Sequence, residues 1–352
     1  MISPAQWAVF RSGVSTVVGQ AWAKVLPTFA EKFATRIPSD STQEVHAWTG
    51  KLPKMRQWLG QRVTFEVAPA TYVLVNQAFE ATLGFDLFDL DDDKMGVYYR
   101  ALPDMAEQAK YQPDYMFRDL LENTGDQTGS RQNGLDGLSG FNTAHYTDPY
   151  NTAGTGLTYG GVSYSTYTND TTGGGTSVTV PKANGTTTTL TVGGAFGPTA
   201  LFTIWSYMAK LRGEDGEPFG IEPNDVMLST YLRGEGELVL RSSFFAPPQW
   251  GQIGPGSGSN ATQVGAADNP LNRYGLNMHV NPLLNQAFTY YVMATQRAFK
   301  PFIHQVREAT QMVPRINPND PNVFSNHQVL FGMWDRQAFG WGPAWLVHRS
   351  GP

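Results

Sequence analysis

One short run limits what this chain can become more than any other. Phe79, Ala81, Leu83, Phe85 and Leu87 hold five successive odd positions, separated by Glu80, Thr82, Gly84 and Asp86. A period of two puts all five on one side of a strand, which then needs an apolar partner layer. The run ends in Asp89-Leu90-Asp91-Asp92-Asp93, and the spacing then turns helical. Met95, Tyr98, Leu102, Met105 and Ala109 are followed by Met116, Phe117, Leu120 and Leu121. A long strand followed by a long helix, with more strands near the C-terminus, predicts an α+β chain. Pro103 should start or kink the first helical piece, and Pro113 should open a second.

The acidic run resembles the start of a calcium loop, since Asp89, Asp91 and Asp93 fit the first three ligand positions. Lys94 then occupies the place of the required glycine and Arg100 that of the bidentate glutamate, so the pattern fails. Carboxylates just before a helix are better explained by the free N–H groups and positive dipole end there. Other chemistry is equally scarce. The sequence has no phosphate loop, no HExxH, no GxSxG and no GxGxxG. Gly154-Thr155-Gly156 is followed by Gly160, one position late for a dinucleotide fingerprint. His46, His145, His279, His304, His327 and His348 are scattered, with no two at ligand spacing. The expectation is a protein that is not an enzyme and takes no cofactor or metal.

Composition narrows the field further. The absence of cysteine excludes disulfide scaffolds, thiolate zinc sites, iron–sulfur clusters and thiol nucleophiles. A net charge of −5 speaks against a dedicated nucleic-acid binder, which shows a basic stripe or tail. No run of 18 apolar residues offers a membrane-spanning helix, and the first residues, with Trp7, Arg11 and Lys24, are not a signal peptide. Charged residues are 16% of the chain against a usual value of about 25%, so much surface is uncharged or meets another chain.

Along the chain, Ser3-Pro4 is a helix-start pair, and Trp7, Phe10, Val14, Val17 and Val18 follow at helical spacing. Residues 47–60 fit no period and mix Trp48 and Trp58 with Lys51, Pro53 and Arg56. They read either as a contact loop or as a loop folded onto its own core. Val63, Phe65 and Val67 suggest a strand. Residues 123–150 are a Gly/Asn-rich loop. Residues 151–195 are Gly/Thr-rich, with Asp170 and Lys182 their only charges. They predict a β-hairpin excursion on the surface, turning at Asn184-Gly185, with disorder as the alternative. Leu201, Ile204, Met208 and Leu211 define one helix face that Gly213 should end. Val226-Met227-Leu228, Tyr290–Ala294, Phe302–Gln305, Val329–Trp334 and Ala344–His348 read as strands.

Taken in order, several segments resemble the Mu-like major head subunit family of tailed phages. They are Trp48-Thr49-Gly50, Pro53, Arg56, Trp58, Gly60, Arg62, Asn76, Phe79-Glu80-Ala81-Thr82 and Asp91-Asp92-Asp93. Gly96-Val97-Tyr98, Pro113-Asp114 and the stretch from Gly213 to Pro223 follow. Then come Arg297, Lys300-Pro301-Phe302-Ile303, Asn322-Val323-Phe324 and Ala338-Phe339-Gly340-Trp341-Gly342-Pro343-Ala344-Trp345. The resemblance implies the Hong Kong 97-type capsid fold. Mapped here, 1–46 is the N-terminal arm and 47–82 the extended loop. Residues 83–150 and 290–352 form the peripheral domain with a spine helix at about 92–123. Residues 196–289 are the axial domain, and 151–195 an insertion.

The function the resemblance implies is self-assembly. Copies of the chain form hexamers and pentamers of an icosahedral virion shell, built in the bacterial host cytoplasm around double-stranded DNA held by confinement. Trp48, Lys51, Pro53, Arg56, Trp58, Arg62, Trp341 and Trp345 are the expected assembly contacts, and residues 251–269 the expected lining of the capsomer axis. A start at Met1 suggests that no scaffolding segment has been removed, so a separate scaffolding protein is expected, with a portal and a possible decoration protein. Some shells of this fold are sealed by Lys–Asn bonds. Here no lysine lies between Lys54 and Lys94, which favours noncovalent closure. Two alternatives are a cellular nanocompartment shell of the same fold and a secreted β-rich adhesin.

Overall fold

The computed structural model describes residues 29–48, 70–88, 95–122, 133–146, 158–159, 162–163, 166–181, 187–213, 218–245, 267–317 and 319–352, with 16, 20, 23, 57 and 61 singly. Most of the expected N-terminal helix, the Val63–Val67 strand and residues 251–266 lie outside them. In chain order the elements begin with α1 (Phe29–Phe33), β1 (Ala34–Pro38), β2 (Gln43–Trp48), β3 (Ala70–Val75), β4 (Gln77–Asp86) and α2 (Met95–Glu122). Five short strands follow: β5 (His145–Tyr146), β6 (Thr158–Tyr159), β7 (Val162–Ser163), β8 (Thr166–Tyr167) and β9 (Asp170–Thr171). Then come β10 (Thr176–Pro181), β11 (Thr187–Val192), α3 (Pro198–Lys210) and β12 (Asp225–Ser229). The chain continues through β13 (Phe244–Phe245), β14 (Ala267–Asp268), β15 (Asn277–Asn281) and β16 (Tyr290–Met293). It ends with β17 (Phe302–Arg315), α4 (Pro321–Asn326), β18 (Gln328–Trp341) and β19 (Val347–Ser350).

These elements divide into two compact units. Unit one is Met1–His46, Val73–Arg131 and Phe302–Gly340; unit two is Ala47–Tyr72, Gln132–Pro301 and Trp341–Pro352.

Unit one is built on a sheet of order β1-β17-β18-β4. β4 runs antiparallel to β18 over its whole length, with Phe85 opposite Val329 and Leu83 opposite Phe331. The odd face of β4 is therefore the core face, as its period of two requires. Burial along it is graded: Phe85 and Leu87 are buried, Phe79 and Leu83 partly so, and Ala81 is exposed. Helix α2 covers the buried end with Leu102, Met105 and Ala106. Further along, Phe117 stacks on Phe33 at 5.9 Å and meets Phe302 edge-on at 5.0 Å. Asp114, itself buried, accepts the Ala30 N–H at 2.7 Å and so satisfies the start of α1. Helix α2 is one 28-residue element with Pro103 and Pro113 inside it, not two pieces. Each proline removes one backbone hydrogen bond. The apolar face from Leu102 to Leu121, buried nearly throughout, keeps the helix continuous.

Unit two is built on a sheet of order β15-β12-β16-β19-β9. Every residue of β12 and of β16 is buried. Helix α3 lays Leu201, Ile204 and Met208 into this core, the face read from their spacing. It ends at Lys210, where Leu211 turns extended (φ −55°, ψ 137°), three residues before the expected glycine stop. β16 pairs with β12 and β19, so 290–301 and 341–352 belong to unit two and only the stretch between them to unit one. The chain thus contributes strands to this sheet on both sides of the β17–β18 excursion.

The 151–195 segment does contain the expected hairpin, with Val178 opposite Leu190. It is not only a surface excursion. Val192 and Thr171 are buried, Val178 and Leu190 pack on the unit-two core, and β9 joins the main sheet. Few large side chains are needed because the backbone itself comes close: Gly193 has φ 81°, and a Cβ there would strike Thr171 and Ser350. Among the described residues, no helix is long and apolar enough to cross a membrane, and no group of three His, Cys, Asp or Glu could hold a metal ion.

Candidate functional site

β2 and β3 pair as a two-stranded sheet, and residues 49–69 run between them. The root of this hairpin is a densely hydrogen-bonded polar site of unit one. At its centre is Asn76, buried in the single-residue step between β3 and β4. Its backbone N–H donates to the Thr42 carbonyl at 3.0 Å. Its Nδ2 donates to Ser39 Oγ at 2.8 Å and to the Ser41 carbonyl at 2.9 Å. Its Oδ1 accepts from Gln305 Nε2 at 2.8 Å. Gln305 is fully buried on β17; it also donates to the Leu74 carbonyl at 3.2 Å, and its Oε1 accepts from His46 Nε2 at 2.8 Å. The turn entering β2 and the strand leaving β3 are thus fastened to each other and to the sheet by one amide pair.

Glu44 tightens the entering turn. Its Oε1 accepts from Ser39 Oγ at 2.8 Å, from the Asp40 and Ser41 N–H groups at 3.2 Å each, and from Ser41 Oγ at 3.1 Å. Hydrogen bonds led by that of Ser39 hold the carboxyl below its ordinary range. The two sides of the hairpin differ. Tyr72 and Leu74 are buried, whereas Val45 (56%), Val73 (38%) and Val75 (37%) are exposed. Three exposed β-branched side chains on a hairpin whose other side is packed form a small apolar strip.

The residues expected from sequence fall into three groups. Trp48 ends β2, so it stands where the hairpin leaves the described residues. Lys51, Pro53, Arg56, Trp58 and Arg62 lie outside them. Trp341 and Trp345 are engaged within unit two itself. Trp341 is 1% exposed, meets Phe141 edge-on at 4.9 Å, and lies so close to Gly140 that any Cβ there would run into its indole. Trp345 is partly buried and stacks on Phe219 at 5.1 Å with their planes 3° apart. The Trp341 indole is enclosed by unit two, whereas Trp345 keeps part of its ring exposed. The residues sequence reasoning missed are His46, Asn76 and Gln305. Asn76 stands in the family resemblance without a role, and its signal is a lone polar residue between two strands.

The comparisons with known proteins agree with this architecture. The family model described as Mu-like prophage major head subunit gpT matches residues 8–173 and 268–351, more than half of the chain. The chain belongs to this family. It is 31% identical over 130 residues to the major capsid protein of Escherichia phage Mu, covering 37% of this chain and 41% of that protein. It is 26% identical over 124 residues to the Mu-like prophage FluMu major head subunit of Haemophilus influenzae, covering 35% of each. The matches therefore span less than half the length of these curated relatives. Among solved structures, the procapsid of bacteriophage JBD30 shares 21% identity at a TM-score of 0.50, covering 99% of this chain and 76% of that one. The shared fold is the Hong Kong 97-type capsid fold. β10, β11, α3 and β12 fall between the two matched stretches of the family model, while β9, β15, β16 and β19 of the same sheet fall within them.

Proposed function

We propose that this chain is the major capsid subunit of a tailed phage, many copies of which assemble as hexamers and pentamers into an icosahedral shell around double-stranded DNA. Membership of the major head subunit family carries this reading. The nanocompartment and adhesin alternatives find no support among the comparisons. In this reading unit one is the peripheral domain with α2 as its spine, and unit two is the axial domain. The 49–69 segment is the extended loop, and Trp48, Lys51, Pro53, Arg56, Trp58 and Arg62 make its contacts with a neighbouring copy. The site at its root sets the direction in which the loop leaves the subunit. A separate scaffolding protein, a portal and a decoration protein are the further partners, and closure is noncovalent.

Low charge and abundant aromatics suit a subunit surrounded by its own copies. Total contact area per subunit should reach the obligate range of ~2,000–5,000 Å² or more. The test is electron microscopy of the full chain, expressed alone and with its scaffolding partner. Closed shells or tubes are expected. Monomers under both conditions would overturn the proposal. The double variant Trp48→Ala/Trp58→Ala should lower particle yield while leaving the subunit folded.

A further inference from the structure

A row of polar side chains crosses the core face of the unit-one sheet. His304 of β17 is buried, and its Nε2–H donates to Gln337 Oε1 at 2.7 Å. Gln337 Nε2 donates in turn to Asp335 Oδ2 at 3.1 Å, and Thr310 Oγ1 donates to the same oxygen at 3.1 Å. The row then stops. Among the described residues, Asp335 Oδ1 is buried with no hydrogen-bond partner, and so is Oε1 of Gln77, the first residue of β4. The β4–β18 register pairs Gln77 with Gln337 and Phe79 with Asp335, so Gln77 and Asp335 project from one face as diagonal neighbours. A buried acceptor without a donor has given up its water for nothing, and two neighbouring acceptors also repel. A single proton satisfies both.

We propose that Asp335 is carried as the neutral carboxylic acid, its Oδ1–H donating to Gln77 Oε1, so that one proton ties the root of β4 to β18. The surroundings agree. Burial pushes the Asp335 carboxyl above its ordinary value of 3.8; the hydrogen bonds from Thr310 and Gln337 act the other way, and no charged group contributes. On the same face, β17 contributes His304 and Glu308, while alternation sends Arg307 to the other side with Gln305. The His304 ring is itself held below its ordinary value, mainly by burial and partly by Arg36 of β1. The odd face of β4 has no ionisable group. Helix α2, packed on β17 and β4, carries Glu107, Lys110 and Asp114, and Asp114 is committed to the Ala30 amide.

Gln77 directly follows Asn76, so the tie is one residue from the root of the β2–β3 pair. Ionisation of Asp335 cuts it and loosens the first pairs of β4, which makes the hairpin root responsive to pH. The sign follows from linkage. A carboxyl raised in the folded state contributes stability fully below its unfolded value and loses it as pH rises through the folded value. This inference does not depend on shell assembly.

The experiment is denaturant unfolding of the full chain across pH for the wild type, Asp335→Asn and Gln77→Leu. The asparagine Nδ2 donates to Gln77 Oε1 at every pH. The ratio of wild-type to Asp335→Asn unfolding constants should therefore change above pH 3.8 by up to about tenfold per pH unit. Gln77→Leu should end that change at a lower pH. Wild type should also show the infrared band of a buried protonated carboxyl, missing from Asp335→Asn. A ratio that stays constant with pH would overturn the proposal, leaving Asp335 ionised with the Gln77 amide turned toward it. So would an Asp335→Asn chain that fails to fold, since asparagine reproduces the bonds of the neutral acid.

Discussion

The two sheets are stabilised differently. In unit two, β12 and β16 are buried at every position, and their polar residues stand at strand ends with partners. Asp225 accepts from His279 at 2.8 Å, and Ser229 donates to the Ala287 carbonyl at 3.2 Å. In unit one, burial alternates along β18, and the polar row from His304 to Asp335 runs through the middle of the core face. A sheet covered on both faces is held by packing, which changes little with conditions. A sheet with a polar row inside depends on every member of that row finding its partner. The hairpin root belongs to the second kind. Its direction is set by amides and hydroxyls, and such a site can be weakened without emptying a core.

The largest test asks whether unit one also has a packed part. Phe117 touches Phe33, Phe302 and Phe339 and is fully buried. Phe117→Ala should cost about 3–5 kcal/mol in denaturant unfolding. A loss below about 1 kcal/mol would mean that α2 is held by hydrogen bonds alone and would make the contrast between the units absolute.

The next test looks for a pH-sensitive point in the packed unit. His348 is fully buried, 3.0 Å from the Thr171 hydroxyl, and burial pushes it down to about 3. The unfolded chain takes up the proton below 6.5, and the folded chain does not until about 3. Stability should therefore fall as pH drops through that window, by up to about tenfold per pH unit in the unfolding constant. His348→Gln should flatten this acid-side loss. His304 in unit one shares this acid-side direction, while Asp335 in the same unit works the opposite way, its contribution to stability being lost as pH rises above 3.8.

Sequence reading succeeded where side chains repeat. The Phe79–Leu87 alternation, the α3 face and the solid apolar runs of β12 and β16 each announce their element, because burial demands a period. The Gly/Thr-rich segment was harder to read. Its place in the core comes from backbone approach at Gly193, and a missing Cβ leaves no apolar signature. The tryptophans show a related limit. Their composition suits an interface and a core equally well, and only the indole of Trp341 lodged against Gly140 and Phe141 separates the two. The hairpin root was invisible for another reason. His46, Asn76 and Gln305 are 30 to 259 residues apart in the chain, and hydrogen-bond partners at that distance follow from topology, not from local pattern.

The smallest of these effects is the most specific. Asn76→Ala removes the side-chain bonds to Ser39, Ser41 and Gln305 but leaves no large cavity. The expected cost is about 1–3 kcal/mol, mainly from leaving the buried Gln305 amide short of an acceptor. Asn76→Asp keeps that acceptor but turns a buried carboxylate oxygen toward the Ser41 carbonyl, so it should cost no less. If the root serves merely as structure, particle yield should follow subunit stability across both variants. If it aims the hairpin at a neighbouring copy, both variants should lower particle yield out of proportion to their effect on unfolding. In both variants the backbone N–H at position 76 still ties the strand to the Thr42 carbonyl, so only the side-chain hold on the turn is lost. Yields that track stability alone would reduce the site to a structural clamp and leave the contrast between the two sheets without a functional meaning.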